Sequence, residues 1–191
     1  MYTLIGSGPS PYVRRTRILL EELKLGYDFQ KIDVMSKDGQ NVLAKYGPIR
    51  RVPVLIENSS QKIIRDSAII DQYLKSHTTL DLEKEDEKNL LNEVCSSALL
   101  VLQLQRFKLD TDKSNPLTQN HWKRIGDILN YFDQKKLVQD EFDVISQWLF
   151  CTLDWFEYRE LYPWRDERAH LISFYEQFKE RDSVIKTDPR T

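Results

Sequence analysis

The first part of the chain alternates between two hydrophobic periods. Residues 2–5 form a short apolar run, and 11–25 then place Val13, Arg17, Leu20 and Leu23 at helical spacing. Gly26 falls where such a helix stops. Tyr27, Phe29, Ile32 and Val34 recur with a period near two, which predicts a strand over 27–34 and closes a β-α-β unit. A polar stretch from Ser36 leads to a predicted helix over 40–46, ended by Gly47-Pro48, because proline lacks a donor and disfavours helix in the residue before it. Residues 52–57 and 62–64, separated by Asn58-Ser59-Ser60, read as a β-hairpin. A helix over 66–76 follows, capped by Asp66 or Ser67, with Ile69, Ile70, Tyr73 and Leu74 as its apolar face.

From about His77 the pattern changes. A charged connector, "LDLEKEDEK", precedes segments with helical periodicity and no convincing strand. Helices are predicted over 83–109, 118–136, 141–159 and 166–180, separated by Pro116, by the 136–140 turn and by Pro163. The division is therefore a small α/β domain over 1–76, a linker over 77–84 and an all-helical domain over 85–191.

Composition narrows the partners. The 191 residues carry 28 basic and 30 acidic side chains with no long block of one sign, which argues against nucleic acid or an anionic membrane as partner. No apolar run approaches the roughly 20 residues that span a bilayer, and the N-terminus lacks a basic-then-apolar leader, so a cytoplasmic protein is expected. Cys95 and Cys151 are far apart without a CxxC, and His77, His121 and His170 are scattered, so neither a metal site nor a disulfide is expected.

The stretch "GSGPSPYVRR" admits several chemistries. A Gly6-Ser7-Gly8 turn between strand and helix can present backbone N–H groups to a phosphate, and Asp33 sits where a ribose-binding acid would. Pro11 stands in place of the third glycine of that fingerprint, has no N–H and opposes the reading. Ser10-Pro11 is also a plain helix start, with serine as N-cap and proline at the first helical position. No GxSxG and no suitably placed histidine support a serine hydrolase. In "RRVPVLIE", Val52-Pro53 opens a strand that should be internal. Either this is an edge proline, or a cis bond leaves the Val52 N–H and C=O to pair with an extended ligand. Asp66-Ser67 suits an ammonium and a carboxylate, or simply caps its helix.

Taken together, Ser-Pro-Tyr-Val-Arg-Arg-x-Arg, the Val-Pro-Val-Leu strand and Asp-Ser-x-x-Ile-x-x-Tyr-Leu after it resemble the cytosolic glutathione transferase family, in its bacterial, serine-type form. The C-terminal "DWFEYRELYPWRDERAHLISFYEQFKERDSV" is similar to the final helices of bacterial members. The resemblance implies an α+β/α two-domain fold, thioredoxin-like in the N-terminal domain and all-α in the C-terminal one, with glutathione as co-substrate and no metal. It carries the sulfur-stabilising hydroxyl to Ser10, with Ser7 as the fallback. Contacts to the cysteinyl backbone go to Val52 with Pro53, the γ-glutamyl end to Asp66 and Ser67, and the glycyl carboxylate to Arg51. An electrophile is expected between the domains, bordered by Tyr12 and the helix from Glu83, in a cytoplasmic homodimer serving detoxification. Serine at position 10 disfavours disulfide exchange, since no protein sulfur is there to form the mixed disulfide. The alternatives are a peroxidase or dehalogenase using the same thiolate, and a non-catalytic binding or scaffold protein of the same fold. Two departures stand out. Gly47-Pro48-Ile49-Arg50-Arg51 replaces Asn-Pro-x-Gly-Lys, and Asp140-Glu141-Phe142-Asp143 replaces a Ser/Thr-x-x-Asp box, with Asp140 as the expected cap.

Overall fold

The computed structural model describes residues 1–75, 82–110, 114–136 and 141–191. They fall into two compact units: Met1–Thr79 with Arg181–Thr191, and Leu80–Glu180. In the first, β1 (Tyr2–Gly6), α1 (Pro11–Glu22), β2 (Tyr27–Lys31), α2 (Lys37–Ala44), β3 (Val54–Glu57), β4 (Lys62–Arg65) and α3 (Ser67–Leu74) follow in order. The sheet is ordered β2-β1-β3-β4, with β1 parallel to β2 and antiparallel to β3, and β4 antiparallel to β3. The β1 residues Leu4 and Ile5 point to opposite faces, and both are fully buried. Leu4, Leu55 and Ile64 pack with Val13 and Leu20 of α1 and Ile70 of α3. Ile5 and Val54 pack with Leu43 of α2. Each buried aliphatic side chain contributes roughly 1.5–3 kcal/mol, so this double-sided burial sets the strand register.

Local chemistry moved several boundaries. Helix α1 ends at Glu22, and it is Lys24, at φ 54°, that takes the left-handed position expected of Gly26. Gly26 instead supplies the carbonyl that accepts from Tyr2 N–H. Strand β2 stops at Lys31, because Asp33 turns the chain: its Oδ1 accepts from Met35 N–H and its carbonyl from Ser36. Ser36 then accepts from Gly39 N–H at 3.0 Å, so α2 starts three residues before the expected Gln40.

In the second unit, α4 (Leu82–Arg106), α5 (Pro116–Lys135), α6 (Val144–Arg159) and α7 (Ala169–Phe178) form the helical bundle. Every residue of α6 from Val144 to Phe156 is buried, which marks it as the central helix. Its cap is Asp143, whose Oδ1 accepts from Ser146 N–H and whose other oxygen meets Lys84. The expected cap, Asp140, lies outside the described residues, as do His77 and most of the 77–84 linker. The domain boundary also differs at the far end of the chain. Residues 181–191, assigned by pattern to the helical domain, include α8 (Asp182–Lys186), which packs against α1 in the first unit.

Candidate functional site

Register gathers the candidate residues. Ile5 pairs with Val54 and Val54 with Arg65, so the end of β1, the start of β3 and the end of β4 form one row across the sheet. Neighbouring strands lie about 4.8 Å apart, which puts β1 and β4 about 10 Å from each other along that row. Ser7 to Ser10 leave the sheet there, Val52 and Pro53 enter it there, and Asp66 and Ser67 follow directly.

Ser10 is the N-cap of α1, extended at φ −82° and ψ 124°. Its Oγ accepts from Val13 N–H at a long 3.4 Å, its N–H donates to the Ser7 carbonyl at 3.1 Å, and Pro11 takes the first helical position. An Oγ that accepts from the helix keeps its own hydrogen to donate outward. The two glycines before it do not adopt a left-handed turn; neither Gly6 nor Gly8 has a positive φ. Gly6 is needed for space, because a Cβ there would stand 2.5 Å from a Val13 methyl. Gly6 thus lets α1 come close against β1.

The Val52–Pro53 peptide bond is cis, and Val52 stands outside the ladder that begins at Val54. Arg51 is exposed just before it. Asp66 caps α3 with an exposed side chain whose Oδ1 accepts from Ala68 N–H at 2.8 Å, on a backbone at φ 71°. That left-handed φ in a non-glycine residue costs of order 1–3 kcal/mol. Ser67 is buried, and its Oγ accepts from a guanidinium nitrogen of Arg15. Tyr12 is half-buried, with the Arg15 guanidinium 4.8 Å from its ring centre.

Residues 4–80 match the family model described as the glutathione S-transferase N-terminal domain. A glutathione S-transferase of Methylobacillus flagellatus KT with glutathione bound superposes with a TM-score of 0.85 at 21% identity, covering 99% of this chain and 100% of that one. A glutathione S-transferase of Methylobacterium radiotolerans in complex with glutathione sulfonate gives 0.85 at 20% identity, over 98% and 94% of the two chains. Residues 4–80 are thus similar to the glutathione S-transferase N-terminal domain, and the whole chain shares the fold of these structures. It is also similar to an uncharacterised GST-like protein of Escherichia coli K12, YibF, at 25% identity over 200 residues, 97% of this chain and 98% of the relative.

Two side chains have a setting that the sequence pattern did not disclose. Arg15 lay within the quoted Ser-Pro-Tyr-Val-Arg-Arg run, but its period marked only a basic helix; that it is buried against α3 depends on packing. Arg65 ends β4 and donates through Nε to the Tyr46 carbonyl beside Gly47, whose φ of 126° and tight approach to the guanidinium exclude a side chain there. It holds the loop that leads toward Arg51. Among the described residues, no cluster of His, Cys, Asp and Glu is arranged to hold a metal, and no helix is long and apolar enough to cross a membrane. Cys95 and Cys151 are buried and form no disulfide, and Cys95 Sγ lies 3.4 Å from Thr152 Oγ1.

Proposed function

We propose that this protein is a serine-type glutathione transferase that stabilises the glutathione thiolate for attack on a hydrophobic electrophile. The observation that carries this reading is the single row Ile5–Val54–Arg65, which sets the Ser10, Val52–Pro53 and Asp66–Ser67 segments at one end of the sheet. Each segment suits one part of the tripeptide. Ser10 donates to the sulfur, Val52 with Pro53 pairs with the cysteinyl backbone, and Arg51 meets the glycyl carboxylate. Asp66 takes the γ-glutamyl ammonium and Ser67 its carboxylate, while Tyr12 borders the electrophile. The glutathione bound to the Methylobacillus flagellatus relative supports the ligand.

A free thiol has a pKa near 8.5, so little thiolate exists at neutral pH. Lowering that value by about two units requires roughly 2.7 kcal/mol. A hydroxyl bond to the anion, about 1.5–3 kcal/mol, and the N-terminus of α1, about 0.3–1, supply it. The thiol proton leaves to solvent. The sulfur lone pair then forms a C–S bond to the electrophilic carbon, and the leaving group departs with the electrons of its own bond.

The test is retention on immobilised glutathione followed by turnover of 1-chloro-2,4-dinitrobenzene. Ser10→Ala should still bind but lose roughly 10- to 150-fold in kcat/KM, with the pH–rate inflection moving up toward the free thiol value. Ser7→Ala should stay near wild type. Binding without turnover in the wild type points to a non-catalytic scaffold, and failure to bind removes the glutathione reading. The same proposal makes the protein a cytoplasmic homodimer, for which sedimentation should give twice the chain mass.

A further inference from the structure

Arg15 is 5% exposed and Ser67 4% exposed, and they meet across 52 positions of sequence at the contact between α1 and α3. A guanidinium has donors and no acceptor, and it stays charged at any pH the protein meets. In this pair the Ser67 oxygen must therefore accept, which turns its own hydrogen away from Arg15. The cation also draws electron density from that oxygen, which strengthens the bond the hydroxyl can donate onward. The Tyr12 ring centre lies 4.8 Å from the guanidinium carbon, so a chain of contacts runs Tyr12, Arg15, Ser67.

We infer that Arg15 is a positioning residue for ligand recognition: it aims and polarises the Ser67 hydroxyl toward the α-carboxylate of the γ-glutamyl group. This rests on the glutathione reading above and extends it to a residue with no place in that reading. Arg15 acts through Ser67, so its effect is confined to ligands that carry this carboxylate. A merely structural role would weaken every ligand alike.

The experiment compares two probes by calorimetry: glutathione, and 4-aminobutanoyl-cysteinylglycine, which lacks only the α-carboxylate. Arg15→Met should raise the Kd for glutathione about tenfold or more and leave that for the truncated peptide within about twofold. Ser67→Ala should show the same selectivity, and the double variant should be no weaker than Ser67→Ala alone. Arg15→Lys keeps a charged donor, should recover part of the loss, and carries the same comparison if Arg15→Met does not fold. Equal weakening of both probes, or unchanged glutathione binding by the Arg15 variants while the wild type binds, overturns the inference. Absence of glutathione binding by the folded wild type overturns the glutathione reading and this inference with it, and is distinguished by appearing before any substitution.

Discussion

At the scale of single residues, short side chains and missing ones carry much of the architecture. Gly39 illustrates this: a Cβ there would sit 1.9 Å from the Asp33 carbonyl oxygen, inside the turn that Ser36 caps. Gly39→Ala should cost about 1–3 kcal/mol, seen as a lower urea midpoint at unchanged m. Gly26→Ala, which meets nothing within 4 Å, is the matched control and should be close to neutral. Two caps were legible at this scale, Ser10 with Val13 and, as one of two candidates, Asp66 with Ala68. Asp143 was passed over for Asp140 because both are acids at the same helix start, and only the backbone path distinguishes them. The positive φ of Asp66 had no local signal, since nothing in Arg-Asp-Ser demands it.

At the scale of elements, α1 is held from two directions. Its basic residues reach α8 and the segment after it: Arg14 donates to the Val184 carbonyl, and Arg17 to those of Lys186 and Thr187. Its last residue, Glu22, receives both Nε and Nη2 of Arg181 at 2.7 Å, and Ser183 Oγ donates to it at 2.5 Å. The Arg181 hydrogen bond, aided by Ser183 and outweighing partial burial, holds the Glu22 carboxyl below its ordinary 4.5. A depressed acid stabilises the fold above its ordinary value and loses that contribution as pH falls through the folded value, because the unfolded chain binds the proton first. The Tm advantage of wild type over Glu22→Gln should therefore be constant near neutrality and shrink as pH drops below about 4.5; a gap that widens in acid contradicts the assignment.

At the scale of the whole molecule, the chain passes from the thioredoxin-like unit to the helical one and returns to the first for its last eleven residues, Arg181–Thr191. Val184 and Thr187 are buried on that return. Ending the chain after Glu180 should accelerate amide exchange in α1 by one to a few orders of magnitude, about 1.4 kcal/mol per tenfold, and leave the core of α6 protected. Equal exchange in both units would show that the tail adds no stability to α1.

The sequence by itself determined the alternation of strand and helix, the two-part organisation, the Ser10-Pro11 start and the segments that meet at the end of the sheet. Those signals are hydrophobic periods, turn residues and caps, whose physics acts within a few residues of chain. Tertiary structure alone decided that Arg15 reaches Ser67, that Gly6 yields to Val13, and that the tail returns to α1. Such contacts join positions up to 170 residues apart. A buried charge or a bare backbone finds its partner only when separate elements pack, and no local pattern records which face it will meet.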